Sequence, residues 1–129
     1  MKKVLIVLVS LLLMCGAAYA KDYEVKKKAG DYDVEIKIDK NPPVVGKNNM
    51  EIEIKDKSGK YVTDAKVVIE YGMPAMPGMP AMDYKTDAEL KGEEYKATMD
   101  ISMSGSWNIA IKITRGDKTS KAKFSVDAQ

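Results

Sequence analysis

Strict alternation of apolar and charged residues recurs along most of this chain and constrains its fold more than any other feature. Tyr32, Val34, Ile36 and Ile38 alternate with Asp33, Glu35 and Lys37. Met50, Ile52 and Ile54 alternate with Glu51, Glu53 and Lys55, and Tyr95, Ala97, Met99 and Ile101 with Lys96, Thr98 and Asp100. Successive side chains of an extended backbone point to opposite faces, so each run is a strand with one face for a core and one for water. Glycine-bearing turn signals separate the runs, at Ala29-Gly30-Asp31, Asp56-Lys57-Ser58-Gly59, Lys91-Gly92-Glu93, Ser104-Gly105 and Arg115-Gly116-Asp117. No stretch has helical periodicity. The pattern predicts strands near 22–28, 31–38, 49–55, 61–71, 83–89, 94–103, 106–115 and 118–126. Short antiparallel strands at this spacing imply an all-β chain, an immunoglobulin-like antiparallel β-sandwich of about seven or eight strands, with a barrel as the alternative.

The first residues follow a different rule. Lys2 and Lys3 precede an apolar run from Val4 to Met14, and Ala18-Tyr19-Ala20 leads into the charged Lys21-Asp22. Residues 1–20 therefore read as a signal peptide cut after Ala20, with residues 21–129 as a single exported domain in the periplasm or outside the cell. The apolar run falls short of the roughly 20 residues that a membrane helix needs. Leu12-Leu13-Met14-Cys15 resembles a lipoprotein cleavage box only weakly, because Met14 is large where a small residue is expected. Cys15 is the sole cysteine, so its removal also removes disulfides, thiolate sites and cysteine nucleophiles. Without Lys2 and Lys3 the 21 basic and 19 acidic residues become equal in number. With lysines interleaved among carboxylates, nothing marks a nucleic-acid surface.

One segment departs from alternation. Met73-Pro74-Ala75-Met76-Pro77-Gly78-Met79-Pro80-Ala81-Met82 carries four methionines at a spacing of three. As a straight polyproline II rod it would align the sulfurs in a ladder about 9 Å apart, too far for neighbours to share an ion. A type II turn at Pro77-Gly78 would instead fold the segment back and bring Met76 toward Met79, flanked by Met73 and Met82. Alternating strand direction puts this segment at the same end of the sandwich as the Met103-Ser104-Gly105-Ser106-Trp107 turn and the start of the Met50 strand. Met99 lies mid-strand with the inward set and is expected in the core, and Met50 with it. Trp107 shares parity with Ile109, Ile111 and Ile113, which makes it a core residue that can still line the floor of the loop. Met103 sits where a core residue and a ligand would look alike.

These residues resemble the YtkA-like or FixH-type domain family. The resemblance is carried by Pro43-Val44-Val45-Gly46-Lys47-Asn48, by Asp56-Lys57-Ser58-Gly59 leading to Asp64-Ala65-Lys66-Val67, by the Met-Pro loop, and by Tyr95-Lys96-Ala97 with Met103-Ser104-Gly105-Ser106-Trp107. It implies an immunoglobulin-like sandwich and an accessory role in the cell envelope, near copper oxidase assembly or metal efflux. Members often carry histidine beside the loop methionines, whereas this chain has none.

Thioether sulfur is soft, uncharged and polarizable, and it suits copper(I) or silver(I) far better than zinc, calcium or magnesium. The expected ligands are Met76 and Met79, supplemented by Met73, Met82 and Met103, with Trp107 close enough to add a cation–π contact. A surface loop has little reason to expose four large apolar side chains unless they bind something. A metal-free reading also stands, in which the same loop docks an envelope membrane protein through its adaptable methionines. Oxidant scavenging through sulfoxide cycling is a further, weaker reading. Catalysis is not expected, since no histidine, nucleophile elbow or phosphate loop is present and the carboxylates sit on solvated faces. A monomer is expected.

Overall fold

The alternating runs become nine antiparallel strands in a computed structural model that describes residues 22–129. The expected leader and Cys15 lie outside the described residues. Strands β1 (Tyr23–Ala29), β2 (Tyr32–Ile38) and β3 (Gly46–Lys55) form a meander. The chain then crosses to a second sheet for β4 (Lys66–Met73) and β5 (Met82–Asp87), and returns for β6 (Glu89–Lys91) and β7 (Glu94–Ile101). It crosses once more for β8 (Gly105–Arg115) and β9 (Lys118–Ala128). The sheet orders are β1-β2-β3-β7-β6 and β5-β4-β8-β9. The fold is a two-sheet antiparallel β-sandwich, as the sequence pattern predicts.

Parity decides the core. Val34, Ile36, Ile38, Met50, Ile52, Ile54, Tyr95, Met99 and Ile101 of one sheet meet Val67, Ile69, Trp107, Ile109, Ile111, Ile113 and Phe124 of the other, all buried. Each β-branched side chain stands perpendicular to its sheet and fills the space between them, as stacked sheets about 10 Å apart require. Met99 and Met50 are core residues, at 0% and 1% exposure. Met50 lies mid-strand opposite Ile38 and Ala97, below the end where the loop methionines lie.

Two expected strands differ. The run 83–89 divides between β5 and β6, which belong to different sheets, because Ala88 turns the chain from one layer to the other with its N–H donating to the Val67 carbonyl at 2.9 Å. The run 61–71 becomes a strand only at Lys66. Residues before it cross between layers, held by Tyr95, whose buried hydroxyl donates to the Val62 carbonyl (2.9 Å) and accepts from the Ala65 N–H (3.2 Å). Burial raises the Tyr95 pKa above its ordinary value. The Gly30, Gly59, Gly92 and Gly116 turns all fall at one end, here the lower end. The β4–β5 and β7–β8 connections and the start of β3 share the upper end.

Candidate functional site

Hairpin register, more than loop flexibility, arranges the methionines. β4 and β5 pair with Tyr71 opposite Tyr84, Gly72 opposite Asp83 and Met73 opposite Met82. Beyond a break at Pro74-Ala75 and Pro80-Ala81, Met76 and Met79 form an isolated bridge in the same register. The Met76 N–H donates to the Met79 carbonyl at 3.0 Å and the Met79 N–H to the Met76 carbonyl at 2.8 Å. Pro77 and Gly78 fill the turn between them, and Gly78 adopts the positive φ of 81° that the third position of a type II turn demands. The fold-back expected from Pro77-Gly78 is therefore how the segment runs, and the straight ladder is not.

The methionines thus face each other as cross-strand pairs, Met73 with Met82 and Met76 with Met79. The two pairs stand three positions apart along the hairpin, with the strand ladder interrupted between them. Burial is graded across the four: Met73 is 4% exposed, Met82 and Met79 are half-buried and Met76 is 43% exposed. The expectation that the loop exposes all four is corrected, because β4 extends through Met73 and carries its side chain into the core.

Glycines fit Met73 and Met82 into place. A Cβ on Gly72 would collide with the Met82 carbonyl oxygen, so this glycine is what lets β5 draw close to β4. A Cβ on Gly105 would lie 2.7 Å from the Met73 methyl carbon, which places the Met73 thioether directly over the start of β8. Met103, half-buried, packs against the same end of the core. Its carbonyl accepts the Trp107 indole N–H at 2.9 Å, which ties the β7–β8 turn to the wholly buried indole.

Beside the Met82 thioether lies an aromatic and hydroxyl collar. The Met82 sulfur sits 3.8 Å from the Tyr84 hydroxyl and 3.7 Å from the Ser102 hydroxyl, which are 3.4 Å from each other. The Tyr84 ring stacks on Tyr71 with centroids 5.5 Å apart, and both rings lie 6.0 Å from Trp107. The Tyr71 hydroxyl in turn accepts the Asp100 N–H at 3.2 Å, joining the two sheets where β7 has outrun its short neighbour β6. Trp107 is a core residue that reaches the methionines through Tyr84 and Met103.

Sequence reasoning missed Tyr71, Gly72, Tyr84 and Ser102. The segment from Tyr71 to Tyr84 is nearly mirror-symmetric about Pro77-Gly78, with tyrosine opposite tyrosine and methionine opposite methionine twice. That symmetry was the available signal for the register. Ser102 had none, since its approach to Met82 depends on how the two sheets overlap. Among the described residues, no cluster of three or more histidine, cysteine, aspartate or glutamate side chains is placed to hold a metal ion. The groups with displaced pKa lie elsewhere: Lys37 is raised by Glu24 and Glu35 on the outer face, and Arg115 by Tyr32 and Asp64 near the lower end.

Comparisons with known proteins agree with this architecture. A family model described as YtkA-like matches residues 26–112, a span that includes the whole β4–β5 hairpin and Trp107. The crystal structure of the PmoD soluble domain from Methylocystis sp. superimposes with a TM-score of 0.55 at 10% identity, covering 81% of this chain and 97% of that one. At that identity the likeness concerns the fold. No curated protein matches the chain in sequence.

Proposed function

This chain belongs to the YtkA-like family, and from that premise we propose that it binds a soft monovalent ion, copper(I) or silver(I), through the methionines of the β4–β5 hairpin. The observation that carries the reading is the pairing of thioethers across the hairpin. Met76 and Met79 exchange two backbone hydrogen bonds, and Met73 stands opposite Met82. A filled-shell monovalent ion is satisfied by two or three soft donors, which is what such pairs supply. The donors are neutral and carry no proton, so capture releases none and needs no deprotonated ligand. With few donors per ion, a partner's sulfur can join the coordination sphere before the hairpin's own leave it. That favours transfer over storage. Met76 and Met79, at the tip, are the donors an incoming ion meets first, and Met73, Met82 and Met103 supply further ones.

The family and the expected leader together support an exported accessory protein. It would act as a monomer and carry the ion to, or shield it from, an envelope membrane protein of oxidase assembly or metal efflux. It performs no catalysis of its own. Copper(I) titration against a competing chelator tests the reading on a variant with Met73, Met76, Met79 and Met82 all changed to Leu. Loss of at least about a hundredfold in affinity is expected, equivalent to roughly 2.8 kcal/mol. Unchanged affinity would remove the hairpin as the site.

The exposure of Met76 at 43% also favours a second reading, metal-free docking of the same partner through the tip. Leucine keeps apolar volume, so Met→Leu would preserve docking while Met→Ser would abolish it. The metal reading expects both changes to fail.

A further inference from the structure

Resting on that reading, we infer that the hairpin carries two separate soft-ion stations: a retaining one at the mouth of the sandwich, formed by Met73, Met82 and Met103, and an exchanging one at the tip, formed by Met76 and Met79. Spacing and burial separate them. The Met73–Met82 and Met76–Met79 pairs stand three residues apart on the same hairpin, about 10 Å at roughly 3.3 Å per residue, and the first includes Met73 at 4% exposure where the second includes Met76 at 43%. One ion bonded to both pairs at about 2.3 Å, taking zinc–sulfur bonds as the guide, would have to draw the buried Met73 out of the core toward the exposed Met76.

The two stations differ in surroundings. At the mouth, Met73 is held over Gly105, the Met103 backbone is tied to the Trp107 indole, and Met82 lies against Tyr84 and Ser102. All three donors lie at the upper edge of the core, and the Tyr84 hydroxyl stands beside the Met82 sulfur. Leaving requires several half-buried groups to move together. At the tip, two donors stand on a type II turn with Met76 open to solvent. An incoming partner meets that pair first. Ions would therefore enter and leave through the tip, while the mouth fills first and empties last.

Silver titration of the protein, followed by native mass spectrometry and Trp107 fluorescence, tests the division. Wild type should take up two Ag+ per chain, with fluorescence quenched by the first. Met76→Leu/Met79→Leu should take up one and keep the quenching; Met82→Leu/Met103→Leu should take up one and lose it. Should the second variant misfold, the methionine ε-methyl NMR signals of the wild type decide instead: Met73, Met82 and Met103 are expected to shift with the first equivalent, Met76 and Met79 with the second. A single ion that shifts all five methyls together, or that either pair variant abolishes, overturns the two stations while leaving thioether binding intact. Binding that persists when all four hairpin methionines are leucine instead overturns the reading on which they rest.

Discussion

At the lower end of the sandwich, the Asp56 carboxylate accepts from the Ser58 N–H (2.9 Å), the Ser58 hydroxyl (2.6 Å) and the Lys60 N–H (3.1 Å), and Arg115 grips Asp64 at 2.9 Å. At the upper end the corresponding turn is Met76-Pro77-Gly78-Met79, and the Met82 sulfur has two hydroxyls beside it at 3.7 and 3.8 Å. The lower turns spend their oxygen and nitrogen atoms on each other. The upper turn satisfies only its backbone and leaves its sulfurs with weak partners. Both ends close a pair of antiparallel strands, and only one keeps donor capacity in reserve. Oxygen-rich turns stabilise the fold because their donors and acceptors match; thioethers contribute packing and remain available to a soft cation.

The contrast can be broken first at the floor of the upper end. Trp107 is wholly buried, so Trp107→Ala should cost about 3–5 kcal/mol in denaturant unfolding, the cost of deleting a large core aromatic. It should also weaken silver binding by removing the support beneath Met103. A variant that unfolds at the wild-type midpoint would show that the mouth is not built on the indole. A smaller effect is expected at the other end. Tyr95→Phe leaves the Val62 carbonyl and Ala65 N–H without their partner and should cost about 1–3 kcal/mol, with silver affinity unchanged. A change in affinity would mean that the two ends are coupled.

The smallest expected effect sharpens the comparison by pH. Hydrogen bonds from the Ser58 side chain, then from the Lys60 backbone, hold the Asp56 carboxyl below the usual carboxylate range. A folded-state pKa below the unfolded one gives stability that is present above the unfolded value and lost as pH falls through the folded value. Acid unfolding should therefore be slightly less steep below about pH 4 in Asp56→Asn than in wild type. Soft-ion affinity should stay flat from pH 6 to pH 8, since thioethers do not titrate. A step in affinity near neutrality would implicate a titrating ligand that the hairpin does not contain.

Much of this was legible because period-two alternation is a local property. The inward set from Val34 to Ile38 and from Trp107 to Ile113 is the observed core, and the lower and upper placement of turns follows from strand direction. The type II fold-back was legible too, since Pro77-Gly78 carries its own conformational signature. What failed was set by neighbours in space. Met73 looks like loop by its proline neighbour, yet β4 runs through it because Gly72 and Gly105 leave room for β5 and for the Met73 methyl group. The split at Ala88 and the approach of Ser102 to Met82 depend on how one sheet overlies the other. No periodicity encodes that overlap.

The most direct test of thioether capture is X-ray absorption at the copper edge on copper(I)-loaded protein. A first shell made only of sulfur at about 2.3 Å is expected, using zinc–sulfur bonds as the guide, and it should vanish when the hairpin methionines become leucine. A first shell of nitrogen or oxygen, unchanged in that variant, would contradict the account.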